Sequence, residues 1–221
     1  DLKDFKRDIS NILKNVKVVK LDKSDTSIFV QEIFKKLNIK VLHQNDINHS
    51  KAIKNSIELE AFKKAHELDA IAICNFLYWI KKQKNLNNID ELSMVKSIEF
   101  FRKEQQPHYL GPSFPAIVGF NENGAIIHYN ATKKTNKKLS GDGLLLIDSG
   151  GQYKYGTTDV TRTICFSKPK KNIKNIFTRV LKGHIAVVKS NLNKYSSGNL
   201  IDIRARKFLK EINLDYQHGT G

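Results

Sequence analysis

Apolar and polar positions change period three times along the chain. Up to residue 49 the segments are short and alternate in kind. Phe5, Ile9, Ile12 and Leu13 fall on one helical face, VKVVKLD reads as a strand, Ile28 to Leu37 as a second amphipathic helix, and IKVLHQ as a second strand. Two helices and two strands make a small α/β element, too small to stand alone. Residues 1–49 therefore read as the end of a domain. The polar run NDINHSKAIKNS reads as a linker, and a helical period then takes over. Asn55 with Glu58 three residues later forms a capping-box pattern. The helix it opens runs to about Lys82, with Ile57, Ala61, Ala65, Leu68, Ala72, Phe76 and Ile80 on one stripe. Asn88 and Glu91 repeat the capping pattern before Leu92, Val95, Ile98 and Phe101, and Pro107 closes that segment.

Beyond Pro107 the period becomes two. FPAIVGF and AIIHY flank Asn123-Gly124, a strong hairpin signal, which puts His128 on the same strand face as Ile126. LLLIDSGGQYKYGTTDVTRTICF follows as a second hairpin. Two helices, about Ile173 to Asn191 and Leu200 to Ile212, precede the final YQHGTG. Helices followed by an antiparallel sheet predict an α+β domain over residues 50–221.

The second hairpin carries the candidate chemistry. Asp148 and Asp159 stand eleven positions apart within runs of apolar and β-branched residues, where ionised groups are expensive to bury. With a turn symmetric about Tyr153 and Lys154 they face each other, and like charges directly opposite destabilise a strand pair. A cation between them resolves the conflict, so a metal site is the leading idea. Carboxylates suit hard to borderline divalent ions. The plain alternative is that Asp148, before Ser-Gly-Gly, starts a turn and Asp159 occupies an exposed strand position. Thr161 shares the Asp159 face, whereas Arg162 points to the other side, either orienting acidic groups or forming a surface salt bridge. His218 lies between Tyr216 and two glycines, Gly219 and Gly221, that let backbone approach a ligand closely; its plain reading is a flexible end residue. His43, His49, His66, His108 and His184 match no ligand spacing.

Composition narrows the field. The 221 residues are 40% hydrophobic and 9% aromatic, which suits a folded chain. No apolar run approaches a bilayer span, and DLKDFKRDIS has no signal-peptide core, so no membrane partner is expected. The net charge of +16 raises nucleic acid as a partner. Against that, lysines are spread over every helix, and KKTNKK and KPKKNIK lack the interleaved aromatics of a stacking platform. No nucleic-acid partner is expected. Cys74 and Cys165 read as small buried hydrophobes in a reducing cytoplasm.

KAIKNSIELEAFKKAHELDAIA, SFPAIVGFNENGAIIHY, LLLIDSGGQYKYGTTDVTRT, VLKGHIAV and LDYQHGTG occur in that order. Together they resemble the aminopeptidase P (Xaa-Pro aminopeptidase) branch of the pita-bread metallopeptidases over about Lys51 to Gly221. Residues 1–49 resemble, less specifically, the end of a creatinase-type α/β domain. The resemblance implies a curved antiparallel sheet backed by helices, in an incomplete pita-bread catalytic domain. It implies a centre of two divalent ions, usually manganese, with cobalt or zinc as alternatives, that removes an N-terminal residue when proline comes second. Two Asp, one His and two Glu hold the ions in that family. Asp148 and Asp159 fall on the two Asp positions, with Asp159 bridging and Asp148 chelating. His128 and His218 match two histidines that contact substrate. The ligand His and both Glu fall after Gly221, so the expectation is a truncated, inactive segment with an unpaired, aggregation-prone sheet edge. A homodimer and a separately encoded C-terminal piece stay open. So do two other readings: a non-catalytic module binding peptide or protein, and a decaying gene product.

Overall fold

The computed structural model describes residues 2–44, 46–194 and 197–220. The chain forms two compact units, residues 1–61 and 62–221.

In the first unit, α1 (Leu2–Ile12), β1 (Val18–Leu21), α2 (Ile28–Lys36) and β2 (Lys40–His43) follow the order the pattern predicts. β1 and β2 pair in parallel, Val18 opposite Lys40. Ser27 caps α2 by accepting from the Val30 amide, and the helix buries Ile33 and Phe34. The expected linker is in part a helix, α3 (Asp46–Ala52). Asp46 stands in its first turn, where a carboxylate complements the helix dipole, and pairs with Lys20 at 2.9 Å. No residue of α3 is buried, so polarity alone concealed it.

Helix α4 (Ser56–Lys81) begins with the expected capping box: Asn55 N–H donates to Glu58 Oε2 and the Glu58 amide to Asn55 Oδ1, each at 2.9 Å. Ala65, Leu68, Ala72, Phe76 and Ile80 of its stripe are buried, while Ile57 is exposed. Cys74 is exposed on this helix and Cys165 half-buried, so neither is the buried hydrophobe expected of it. Cys74 falls one residue outside the apolar stripe. In α5 (Glu91–Lys103) the cap is not Asn88 but Asp90, in a reciprocal box with Ser93. Glu91 is fully buried instead and accepts from the Phe120 amide at 2.7 Å, Asn123 Nδ2 at 2.9 Å, Tyr129 Oη at 2.8 Å and the Lys137 amide at 3.1 Å.

The strands are β3 (Tyr109–Pro112), β4 (Ile117–Phe120), β5 (Leu144–Ser149), β6 (Gly151–Tyr153), β7 (Gly156–Thr157) and β8 (Val160–Cys165). They form two antiparallel sheets, β3-β6-β7 and β4-β5-β8. Val118, Phe120, Leu145 and Ile147 of the second sheet pack on Ile73, Phe76, Ile80, Met94 and Ile98 of α4 and α5. The predicted Asn123-Gly124 hairpin is absent: β4 pairs with β5, and residues Asn121–Ala125 form a 3-10 helix. Burial of the Asn123 side chain against Glu91 overrides the turn signal. The loop lies so close to β4 that a Cβ on Gly119 would meet the Gly124 backbone at 2.7 Å. Helices α6 (Lys171–Val188) and α7 (Gly198–Lys210) complete the unit. Among the described residues, no helix is long and apolar enough to cross a membrane.

A buried ionic knot ties these layers together. Arg102 Nε of α5 donates to Asp69 Oδ1 of α4 at 2.7 Å, both side chains at most 2% exposed, and Tyr153 Oη of β6 donates to the same oxygen at 2.9 Å. Burial first, then the Asp69 charge, push the Tyr153 hydroxyl pKa up, which keeps it a donor.

Candidate metal centre

Along β5 the side chains alternate by strand geometry. Leu145, Ile147 and Ser149 are buried, whereas Leu144, Leu146 and Asp148 line the opposite, half-open face. Asp148 pairs with Thr161 of β8. The turn is therefore Lys154-Tyr155, because Tyr153 pairs with Gly156 and is held in the core by Asp69. This corrects the register expected from the sequence by one residue on each strand: Asp159 is not opposite Asp148 but diagonal to it. Diagonal neighbours lie about 7–8 Å apart at the backbone, within reach of two carboxylates.

Both acids flank a bend where β5 passes into β6 and β7 into β8. Ser113 N–H donates to Gly150 O at 3.1 Å and Ser113 Oγ to Thr158 O at 2.9 Å. Thr158 closes on Gly151 through its own amide and through Oγ1, each bond 2.9 Å. A Cβ at Gly150 would stand 1.9 Å from Thr158 O and 2.3 Å from Ser113 Oγ. Only glycine lets the strands approach this closely, and the approach brings the acids together.

Asp159 is exposed as a residue, yet its carboxyl pKa is raised. Partial desolvation contributes most, then the Asp148 charge and a hydrogen bond between the two carboxyls. Among the described residues, Asp148 Oδ1 is buried without a hydrogen-bond partner, as is Ser149 Oγ on the opposite face of β5. Buried oxygens are ordinarily satisfied, so an orphaned carboxylate oxygen next to a second acid fits a bound cation. The donor set is all oxygen and anionic, which suits hard divalent ions. Among the described residues, no third His, Cys, Asp or Glu joins them in a group able to hold an ion.

The histidines lie elsewhere on the chain. His128 is exposed in a turn after the 3-10 helix, with φ of 54°, not on a strand in phase with Ile126. The loop drawn in by Asn123 cannot continue as a strand. His218 is exposed and stacks on Tyr216, ring centres 4.6 Å apart. Gly221 lies outside the described residues. Thr161 shares the Asp148 face by pairing, while Arg162 pairs with Ile147 and donates to Thr161 O at 2.7 Å rather than to either carboxylate.

Sequence reasoning missed the knot of Asp69, Arg102 and Tyr153, although a charged residue beside Leu68 in an apolar stripe was a signal. It also read Ser-Gly-Gly only as a turn. Glycine inside a strand pattern marks close backbone approach.

Comparison with known proteins places these features in context. The sequence profile of metallopeptidase family M24 matches residues 60–221. Xaa-Pro aminopeptidase 2 of Sus scrofa is 38% identical over 196 residues, 89% of this chain and 29% of that protein. Aminopeptidase P2 of Arabidopsis thaliana is 41% identical over 179 residues, 80% of this chain and 25% of that protein. The crystal structure of X-prolyl aminopeptidase from Caenorhabditis elegans, described as a cytosolic enzyme with a di-nuclear active site, superposes with a TM-score of 0.80 and 28% identity. It covers 97% of this chain and 36% of that one. Prolidase from Pyrococcus furiosus shares the fold, with a TM-score of 0.70 at 23% identity, over 93% of this chain and 58% of that one. The chain thus spans about three tenths or less of the length of these curated relatives.

Proposed function

The chain belongs to metallopeptidase family M24 and has the pita-bread fold, and on that footing we propose that its protein is a metalloaminopeptidase hydrolysing the N-terminal bond of Xaa-Pro peptides. The observation that carries this reading is the diagonal pair of carboxyls at the strand bend, Asp159 raised in pKa in part by the Asp148 charge and Asp148 with a buried oxygen that has no hydrogen-bond partner among the described residues. Asp148 and Asp159 would hold two divalent ions, manganese in the first instance. Such a pair, when bound, supplies a hydroxide nucleophile at neutral pH and polarises the scissile carbonyl.

The chain's own residues do the rest. Asp148 and Asp159 must be ionised to act as ligands, so loading has to overcome the raised carboxyl pKa of Asp159. Gly150 and Thr158 fix their spacing through the bend. His128 and His218 contact substrate beside the scissile bond, a role supported by their match to the family's motifs. A prolyl amide is tertiary and offers no N–H, so recognition relies on the amino terminus, the carbonyl and the ring. A cytoplasmic location agrees with the cytosolic relative.

The test is hydrolysis by the full-length protein loaded with Mn2+. Release of the first residue from an Ala-Pro peptide, and not from its Ala-Ala counterpart, is expected. Equal release from both, or none at saturating manganese, contradicts the reading. A second reading is a pita-bread module that binds peptide or a protein partner without catalysis. It is favoured by the meeting of only two candidate ligands among the described residues. Binding of Xaa-Pro peptide with no bound metal is what it requires.

A further inference from the structure

Arg206 of α7 is only 13% exposed at its side chain, and it grips the segment that carries His218 from several sides. Its Nε donates to Asp202 Oδ2 at 2.7 Å, one turn earlier on the helix. Nη1 donates to Asp215 Oδ1 at 2.9 Å and to the Tyr216 carbonyl at 2.6 Å, and Nη2 to the His218 carbonyl at 2.6 Å. The guanidinium carbon lies 4.0 Å from the centre of the Tyr216 ring. The His218 imidazole stacks on that same ring at an interplanar angle of 26°. Thr220 closes the loop: its Oγ1 donates to Asp202 Oδ1 at 2.6 Å and sits 2.5 Å from Tyr216 Oη.

An arginine serving only to neutralise Asp202 needs one of these contacts. The others engage a second carboxylate, the backbone and the aromatic ring of a segment that is otherwise irregular. A planar fork with several donors can hold two carboxylates and two carbonyls at once and still lie against a ring; a lysine ammonium cannot. The arrangement also holds the Asp202 and Asp215 carboxyls below the usual carboxylate range, Asp202 first through its hydrogen bond from Arg206 and Asp215 likewise.

We infer that Arg206 is a positioning residue: it locks the Asp215–Thr220 segment so that His218 is presented in one orientation, stacked on Tyr216. The inference rests on the proposed substrate role of His218. It adds a residue remote from the reacting atoms whose loss misaligns a group that touches substrate.

The experiment uses the full-length protein labelled with 13C at histidine Cε1, with His218→Asn to assign the resonance. In the parent, the ring current of Tyr216 shifts the His218 Cε1 proton upfield of its position in an unstructured peptide. Arg206→Lys should abolish that shift. In the manganese-loaded enzyme it should lower kcat on an Ala-Pro peptide about 10- to 100-fold with KM within about twofold. Asp202→Asn, which removes the one carboxylate that anchors both Arg206 and Thr220 and leaves α7 in place, should move both readouts in the same direction. It serves if Arg206→Lys fails to fold. A parental His218 resonance in both variants overturns the inference, whatever their activity. A parent inactive on Ala-Pro peptides, whose His218 resonance nevertheless follows the variants, removes the peptidase reading and leaves the clamp standing.

Discussion

Gly150 has no room for a side chain: its ideal Cβ would fall 1.9 Å from a carbonyl oxygen that cannot move without breaking the bend. Gly150→Ala should therefore cost about 3 kcal/mol in denaturant unfolding and weaken metal uptake in the same protein. A variant as stable as the parent would mean that the strands can part there freely. Asp159 sets a pH dependence of definite sign. Its raised pKa means the folded protein holds that proton more tightly than the unfolded chain does. Without metal, the contribution of Asp159 to stability should be fully present in acid and be lost as pH rises from the ordinary carboxylate range through the raised value. Metal affinity should rise over the same window. Asp148→Asn takes away the neighbouring charge, so thermal melts of the metal-free variant should show a flatter pH profile. An unchanged profile would place the two carboxyls too far apart to interact.

At the scale of elements, the knot of Asp69, Arg102 and Tyr153 joins α4, α5 and β6, and so sets where the hairpin lies on the helices. Asp69→Ala strands a buried guanidinium and should cost about 3–5 kcal/mol. Asp69→Leu combined with Arg102→Met should recover part of that loss, the buried Tyr153 hydroxyl still lacking its acceptor. A double variant as unstable as the single would show that the cost lies in packing, not in the unpaired charge. The same elements show why some of the fold was legible and some was not. The cap of α4 and its stripe are local, written within a few turns of sequence, and Asn55, Glu58, Phe76 and Ile80 behave as read. The segment AIIHY failed because Asn123 is claimed by Glu91, 32 residues earlier in the chain. The hairpin register failed for a similar reason: Tyr153, which looked like a turn residue, bonds to Asp69, 84 positions away. Local signals cannot carry such long-range polar contacts.

On the scale of the whole polypeptide, the helices α4 and α5 are backed by a core, but among the described residues the β8 edge of the sheet β4-β5-β8 is unpaired. Among the described residues, β8 pairs with β5 alone. Open edges of this length template further pairing. A polypeptide of these 221 residues by itself should therefore self-associate, and light scattering should show species growing with concentration. Thr163→Lys, a charge on that edge, should suppress the growth. A monodisperse parent would count against an available edge. The same polypeptide, with two carboxylates meeting among its described residues, should release no N-terminal residue from Ala-Pro peptides at saturating manganese. The acids themselves were legible from the sequence as a pair on one hairpin. What sequence could not supply was the bend at Gly150, which sets the two acids as diagonal neighbours and not as a directly opposed pair.

Manganese bound to the full-length protein, counted per chain after equilibrium dialysis, tests most directly whether Asp148 and Asp159 grip cations. The parent should retain two ions, and Asp148→Asn and Asp159→Asn should each lose at least one. Parental stoichiometry and affinity in the double Asn variant would contradict the account, because the ions would then be held without the two oxygens at the bend.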